Sequence, residues 1–285
     1  MELAQLQKNW ETLAQQDPMW AIISDPTMKG RKWDPAAFFR SGEAAINHLF
    51  LEIAQFNFPL RRETALDFGC GLGRLTQAIG KRFAKTYGID ISPTMVAEAA
   101  GYNRCGSACE YLVNDSNDLR GFDDNTFDFV FSFLVLQHVR PEASRIYMTE
   151  FVRVLRPGGL LYFQLPSVRR ATQAASHGPA ETAGEAEQQC NSAVAPGKPG
   201  SGQRGQEILS RTKVAGNDQA EESDSSGEPF SDLEGLIEMH GIPRDGVCSV
   251  IERAHGTVLR VQEDDCCGSE WISFRYWVTK SQSEP

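Results

Sequence analysis

The sequence predicts an α/β fold: a doubly wound, mostly parallel seven-stranded sheet with an antiparallel C-terminal hairpin and an N-terminal helical cap. Short apolar runs alternate with segments of helical spacing, which is typical of parallel strands joined by right-handed helical crossovers. The run 127–133 is almost continuously apolar, as expected of a central strand buried on both faces. Two β-prone runs near the C-terminus, 258–261 and 271–278, are separated by a short connection that favours a hairpin.

The first 60 residues predict a helical cap. Apolar residues from Leu3 to Leu13 share one helical face, and that helix must end before Asp17-Pro18. Asp34 followed by Pro35 predicts the start of a second helix, because aspartate caps helix N-termini and proline suits the first helical position. The segment is rich in tryptophan and phenylalanine. These aromatic residues either pack on the core or also form a lid over a ligand.

A glycine-rich turn follows the first apolar run of the predicted sheet. Residues 65–68 read as a buried strand, and the chain then places glycine at the alternate positions Gly69, Gly71 and Gly73 before helical spacing resumes. Glycine lets the backbone turn tightly and removes the Cβ atoms that would keep a ligand away. The turn therefore brings a small molecule to the carboxyl end of a strand, at the start of a helix. A nucleotide or nucleoside ligand is expected.

The spacing of this turn distinguishes between nucleotide ligands. A dinucleotide fingerprint needs glycine or alanine at position 74, which holds Arg74, and no phosphate-binding loop sequence is present. The pattern Asp67-x-Gly69-x-Gly71-x-Gly73 resembles the first motif of class I S-adenosylmethionine-dependent methyltransferases, whose ligand has no pyrophosphate. On this stretch alone, an ordinary glycine-rich turn between a strand and a helix remains the alternative.

Further stretches match motifs of the same family in order and at sensible spacing. They are residues 88–92, 114–119, 125–139 and 155–159. With the glycine turn they cover roughly residues 62–166, so an accidental match is improbable. The sequence departs from the family pattern at Asn114, where glycine is frequent, and in a longer loop between Leu119 and Phe127.

The resemblance implies S-adenosylmethionine as the cofactor and a set of residues that bind it. They are Asp67, Gly69, Gly71, Gly73, Asp90, Ile91, Met95, Asp115, Ser116 and Phe133. The glycines would pass close to the methionine part of the ligand, and Asp67 beneath them would bind its amino group through water. The Phe133 carbonyl would orient the same amine. Asp90, which closes the second strand, would hold both ribose hydroxyls, although an acid at a strand end can also be purely structural.

The remaining members of this set would surround the adenine. Ile91 and Met95 would line the ring, and Asp115 would accept a hydrogen bond from its amino group. The backbone N–H of Ser116 would meet a ring nitrogen. Asp115 also fits an Asx turn, which is the structural alternative for that residue.

Catalysis of methyl transfer needs few chemical groups. The leaving group of a sulfonium needs no proton, so much of the rate can come from holding the acceptor in line with the methyl group. An oxygen or carbon acceptor would also benefit from a general base. His138 is the first candidate and His240 the second, and a structural histidine is the alternative for each.

Composition limits the partners. The net charge of −10 argues against a nucleic-acid backbone or an anionic membrane as the main partner. No apolar run reaches membrane-spanning length, and the polar amino terminus does not resemble a signal peptide. Seven cysteines fit no disulfide framework and lack the paired spacing of a zinc site, so no metal is expected and the thiols indicate a cytoplasmic protein.

Residues 169–230 are poor in large apolar side chains and predict a disordered insertion. The predicted core is therefore discontinuous, with residues 61–168 and 231–285 on either side. We expect a methyltransferase that acts on an O, N or C atom of a small molecule, whose identity the sequence does not reveal. The alternatives are a non-catalytic S-adenosylmethionine-binding partner or sensor, and an NAD(P) oxidoreductase, which Arg74 disfavours.

Overall fold

The computed structural model describes residues 2–170 and 237–281. The helices of these segments are α1 (Leu3–Gln16), α2 (Pro18–Ile22), α3 (Pro35–Gln55), α4 (Arg74–Gly80), α5 (Pro93–Tyr102), α6 (Pro141–Val154) and α7 (Arg244–Arg253). The strands are β1 (Thr64–Phe68), β2 (Lys85–Asp90), β3 (Cys109–Val113), β4 (Phe127–Ser132), β5 (Leu155–Arg169), β6 (Gly256–Asp264) and β7 (Trp271–Lys280). Most of the predicted insertion, and the first residues of the second core segment, lie outside the described residues.

The strands form one seven-stranded sheet in the order β3-β2-β1-β4-β5-β7-β6. Neighbouring strands from β3 to β5 are parallel, whereas β7 runs antiparallel to both β5 and β6. Every residue of β4 is buried, which matches its apolar sequence and its central position. The predicted fold class is thus confirmed, including the antiparallel hairpin that the second segment adds to the sheet.

Sequence signals at helix ends are used as predicted. The side chain of Asp34 accepts a hydrogen bond from Ala37 N at 2.7 Å, and Pro35 is the first residue of α3. The next predicted boundary is also observed, since α1 ends at Gln16 and Asp17 caps α2. Asp17 additionally accepts from Gly30 N at 2.7 Å and Arg31 N at 2.8 Å. This one carboxylate therefore ties together the turn-rich stretch between α2 and α3.

Two apolar layers cover the faces of the sheet. On one face, residues of α6 and α7 pack in a cluster around Phe151, Val152 and Ile251. On the other, α3 and α4 pack against β4, and the rings of Phe83 and Phe129 stack with centroids 5.6 Å apart. Much of α3 thus belongs to the core layer on this face of the sheet.

The helices that cover the glycine turn are α1 and α2. Their buried residues form a third cluster that includes Leu13 and Trp20, together with Leu72 of the turn and Met95 of α5. Within the described residues, no helix combines the length and apolar character that crossing a lipid bilayer requires.

Two glycines within helices provide a matched test of the packing between α3 and α4. A Cβ atom at Gly42 would lie 2.4 Å from the carbonyl oxygen of Arg74, whereas a Cβ at Gly101 would have no atom within 4 Å. We expect Gly42→Ala to destabilise the protein by about 1–3 kcal/mol through overpacking. Gly101→Ala should stabilise it by about 0.4–1 kcal/mol, because alanine restricts the unfolded chain. Urea unfolding measures both, and equal stabilisation would contradict the close approach of the two helices.

Candidate active site

One large cavity lies at the carboxyl ends of β1, β2 and β4, underneath α1 and α2. Its volume of about 430 Å³ falls in the range of small-molecule binding sites. The glycine turn after β1 and the residues that follow β2 and β4 form its floor, and side chains of α1 and α2 form its roof. This is the edge of an open parallel sheet at which ligands bind.

The glycine turn requires glycine for two separate reasons. Gly69, Gly71 and Gly73 have φ angles of 76°, 50° and 76°, in the left-handed region that other residues rarely adopt. The surroundings are also tight, since a Cβ at Gly69 would lie 2.3 Å from the Val135 side chain and one at Gly71 would lie 2.6 Å from Ile22. Backbone N–H groups of the turn donate to the carbonyl of β2 residue Ile89 at 2.8 and 2.9 Å, which fixes the turn against the sheet.

Asp90 ends β2 on the cavity wall and braces this turn. Its Oδ2 accepts a hydrogen bond from Gly71 N at 2.8 Å, and its Oδ1 accepts from Ser92 N at 3.0 Å. A carboxylate has about four acceptor sites, so these two bonds leave capacity for ligand hydroxyls. Burial raises the pKa of Asp90, and the backbone N–H donors oppose that shift. The bracing role was not anticipated from the sequence.

Asp67 lies beneath the glycine turn and is almost completely buried, with 2% of its surface exposed. The hydroxyl of Thr76 donates to its Oδ2 at 2.5 Å. Burial raises the pKa of Asp67 to about 7, and the Thr76 bond and the charge of Arg74 work in the opposite direction. Asp67 is therefore placed under the turn, as the resemblance implies.

Arg74 is a further candidate for ligand binding. In the sequence it served only as evidence against an NAD site. The residue lies on the cavity wall, its guanidinium carbon is 5.7 Å from the centroid of the Phe38 ring, and its Nη1 donates to Ser41 Oγ at 3.1 Å. Its Nε is buried and has no hydrogen-bond partner among the described atoms. Burial lowers the pKa of Arg74 to about 10, so the side chain stays charged at neutral pH. An arginine with an unused donor suits a carboxylate ligand.

The structure brings most of the predicted site residues to one cavity. Those on its wall are Asp67, Gly69, Gly71, Asp90, Ile91, Met95, Phe133 and His138. Gly73 lies in the same turn, but a Cβ there would face the Tyr111 ring and not the cavity. The described residues that line the cavity do not include Asp115, Ser116 or His240.

The chain after β3 turns a different residue toward the cavity than the resemblance implies. Asn114 is on the wall, whereas Asp115 is exposed to solvent. The Ser116 carbonyl accepts a hydrogen bond from the Tyr147 hydroxyl at 2.5 Å, and Tyr147 is itself a wall residue. The adenine contacts of Asp115 and Ser116 therefore stay predictions.

The two candidate bases are in different positions. His138 is on the wall, its ring centroid is 5.3 Å from that of Trp10, and its Nδ1 is 2.8 Å from the Glu238 carbonyl oxygen. Burial lowers the pKa of His138 to about 4. His240 pairs instead with the Glu238 carboxylate at 3.4 Å, and its backbone N–H donates to the Gln137 carbonyl.

Charge is unevenly distributed along the described wall. Its aspartates and arginine, Asp67, Arg74 and Asp90, all lie at the glycine turn or at the end of the neighbouring strand. The rest of the described wall is mainly apolar and otherwise uncharged if His138 is neutral: Leu3, Leu6, Trp10, Ile22, Ile23, Trp33, Phe133 and Met239 are among its residues. The cavity thus has one end suited to a zwitterionic, hydroxyl-bearing ligand and another suited to a neutral one.

Comparison with known proteins identifies the domain. Residues 66–163 match the family described as "Methyltransferase domain". This part of the chain is a class I S-adenosylmethionine-dependent methyltransferase domain. The family assignment from the motif series is therefore confirmed, and S-adenosylmethionine is the cofactor of the domain.

Curated relatives of this methyltransferase domain are named for ubiquinone biosynthesis and for a hydroquinone. A ubiquinone biosynthesis O-methyltransferase of Methylococcus capsulatus is 31% identical over 134 residues, which are 47% of this chain and 55% of the relative. A 2-methyl-6-phytyl-1,4-hydroquinone methyltransferase of Synechocystis is 33% identical over 99 residues, 34% of this chain and 30% of the relative. The chain spans about half the length of the first of these relatives.

Solved structures show the same fold at low sequence identity. An S-adenosylmethionine-dependent methyltransferase of Leishmania major has a TM-score of 0.57 and 12% identity, with 97% of this chain and 82% of that chain covered. One from Clostridium acetobutylicum has a TM-score of 0.53 and 15% identity, with 92% and 98% covered.

The residues of the cavity wall fit the cofactor of this domain. The unused donor of Arg74 matches the methionine carboxylate, and the free acceptor sites of Asp90 match the ribose hydroxyls. Ile91 and Met95 are apolar wall residues that would suit the adenine. Bound there, the cofactor supplies an electrophilic methyl group on a sulfonium.

Asp90→Ala should weaken binding of S-adenosylhomocysteine by a factor on the order of a hundred or more. Two charge-assisted hydrogen bonds of roughly 1.5–3 kcal/mol each are lost, and the N–H of Gly71 loses its partner. Calorimetric titration measures the affinity, and Asp123→Ala on an exposed loop is the control. An unchanged affinity in a folded variant would contradict the ribose role.

Arg74→Met should weaken S-adenosylhomocysteine roughly tenfold to a hundredfold, because one charged contact to the ligand carboxylate is removed. Methylthioadenosine lacks that carboxylate and should bind the variant and the original protein equally. Competition binding of the two ligands measures the difference. Equal losses for both would show that Arg74 stabilises the cavity and does not contact the carboxylate.

Proposed function

We propose that this protein transfers the methyl group of S-adenosylmethionine to an O, N or C atom of a small molecule that is largely uncharged. The observation that carries this proposal is that one cavity combines charged residues at one end with an apolar, neutral end that includes His138. The names of the curated relatives support a small acceptor of this kind.

The chain's own residues have limited chemistry to perform. The departing thioether is neutral and needs no acid, so the protein has to hold the acceptor in line and keep water away. The apolar side chains of Trp10, Ile22 and Trp33 are suited to keeping water away. A hydroxyl acceptor also has to lose a proton, and His138 lies at the neutral end of the cavity, where it could accept it.

His138 is preferred to His240 as the base because of position. His138 lines the cavity, whereas the described wall leaves out His240, whose ring is engaged with a carboxylate 3.4 Å away. We propose a supporting role for His240, as part of the segment that packs on the turn after β4.

We propose that α1 and α2 act as the lid of the site. The lid is attached to the cofactor end by polar contacts: Gln7 Nε2 donates to the Ile91 carbonyl at 3.1 Å, and the Glu11 carboxylate accepts from the Ser92 hydroxyl at 2.6 Å. Trp10 then reaches His138 across the cavity. Covering the site with aromatic side chains gives broad apolar contact at modest entropic cost.

Two other functions compete with this proposal. A non-catalytic S-adenosylmethionine-binding protein would use the same cofactor end, and an NAD(P) enzyme would have to accommodate Arg74 at the turn. The six described cysteines are free thiols, which supports our further proposal that the protein works in the cytoplasm.

Binding and turnover separate these functions. Calorimetry with S-adenosylhomocysteine and with NAD should show binding of the first ligand only. A screen with radiolabelled S-adenosylmethionine over phenols, hydroxyquinones, amines and carboxylic acids should then give labelled product from a neutral acceptor. Cofactor binding with no turnover across the screen and metabolite extracts would favour the sensor, and NAD binding would favour the oxidoreductase.

Hydrogen exchange tests whether α1 and α2 act as a lid. When S-adenosylhomocysteine and an acceptor are both bound, amides of residues 18–40 should exchange hydrogen more slowly, because α2 and the stretch after it close over the ligands. The edge strand β6, far from the cavity in sheet order, is the internal control. Hydrogen-exchange mass spectrometry measures both regions. Amides of 18–40 that are indifferent to both ligands would show that the segment only packs on the core.

A further inference from the structure

A chain of hydrogen bonds between uncharged side chains links the middle of the sheet to His138. The Nε2 group of Gln164 on β5 donates to Cys267 Sγ at 2.8 Å and to Ser273 Oγ at 2.6 Å. Cys267 Sγ in turn donates to Gln137 Oε1 at 2.9 Å. The amide nitrogen of Gln137 then lies 3.1 Å from His138 Nε2. Gln164 and Ser273 are fully buried and Gln137 nearly so, which gives the chain a rigid base.

The directions of these bonds determine where the proton of His138 is. His138 Nδ1 lies 2.8 Å from the Glu238 carbonyl oxygen, and a carbonyl can only accept. Nδ1 must therefore carry a hydrogen, so the neutral ring has a bare lone pair on Nε2. The Gln137 amide has to present its NH₂ group to that lone pair, which turns its oxygen toward the thiol of Cys267. With the ring neutral, this arrangement satisfies the contacts of His138, Gln137 and Cys267 together.

We propose that Gln137 is a positioning residue that keeps His138 in the Nδ1–H tautomer with an unprotonated Nε2, and that an acceptor hydroxyl takes the place of the Gln137 amide as the donor to Nε2. The inference rests on the proposed function and deepens it. The unprotonated Nε2 can only accept a hydrogen bond, so the acceptor must donate one. We therefore assign the acceptor to neutral compounds that bear a hydroxyl or phenol group.

The proton balance of the step follows from this tautomer. The acceptor O–H bond breaks as its proton passes to His138 Nε2, and the electron pair left on oxygen forms the new O–CH₃ bond while the S–CH₃ bond breaks. The sulfonium becomes a neutral thioether and the imidazole becomes an imidazolium. The positive charge therefore passes from the cofactor to His138, and no further oxidant or reductant is needed.

Several groups that face His138 affect its charge. Trp10 of α1 contributes an apolar ring edge, and Cys267 is reached only through Gln137. His240 lies near enough to disfavour a positive charge on His138, and the Glu238 side chain is paired with His240. Burial is the largest cause of the lowered pKa of His138, which keeps the ring neutral through the physiological range. No carboxylate among these groups is hydrogen-bonded to the His138 ring in the described structure.

Nitrogen NMR of the full chain labelled with ¹⁵N-histidine tests the tautomer directly and needs no substrate. Five histidines give signals, and His138→Asn identifies those of His138 by their loss. At pH 7 we expect a pyrrole-type signal for Nδ1 and a pyridine-type signal for Nε2. The opposite pattern, or an imidazolium, would overturn the inference.

Gln137→Glu tests the role of the amide. The introduced carboxylate accepts only, so it should draw a proton onto Nε2 and raise the titration midpoint of His138 by about 1–3 pH units. Gln55→Glu adds the same charge at an exposed position of α3 and should leave the midpoint unchanged. Gln137→Met, which removes the donor without adding charge, should raise the midpoint by less and provides a second variant if the first does not fold.

These results separate the inference from the proposed function. An unchanged His138 midpoint in a folded Gln137→Glu or Gln137→Met variant would overturn the positioning role, even if the protein binds S-adenosylhomocysteine. Conversely, the expected tautomer and midpoints together with no cofactor binding would overturn the proposed function alone.

Discussion

The hydrogen bond between the Asp90 carboxylate and the N–H of Gly71 is the interaction on which the site depends. It joins the end of β2 to the glycine turn that follows β1, and the Ser92 N–H bond holds the same carboxylate from the other side. A buried carboxylate without donors would be costly. The two backbone donors offset that cost and leave an acid with fixed orientation at the cavity wall. It lies next to a turn whose missing Cβ atoms let the Val135 and Ile22 side chains approach closely.

From this fixed point the cavity divides into two chemical environments. The charged groups Asp67, Arg74 and Asp90 surround the turn, where the zwitterionic and hydroxyl groups of the cofactor would be matched. The opposite end is lined by aromatic and aliphatic side chains and by a histidine that burial keeps neutral. This end suits a neutral acceptor, whereas an anionic acceptor would lose its hydration without meeting a cation among the wall residues described there.

Local sequence patterns predicted the elements that depend on local rules. The glycine turn, the buried β4 and the start of α3 at Asp34-Pro35 each follow from a few adjacent residues. The contact between Gln137 and Cys267 joins residues 130 positions apart and has no local signature. The difference between Asn114 and Asp115 depends on the exact phase of the chain leaving β3, because neighbouring residues face opposite sides. Arg74 was visible as a polar residue at a helix start, but its contacts with Phe38 and Ser41 require the packing of α3.

A crystal structure of the full chain with S-adenosylhomocysteine would test the central claim most directly, because it shows both ends of the cavity at once. We expect the ligand carboxylate against Arg74, the ribose hydroxyls on Asp90, and the sulfur directed toward the end of the cavity that Trp10 and His138 line. A ligand bound in this cavity with its adenine at the end lined by Trp10 and His138, or bound outside the cavity altogether, would contradict this expectation.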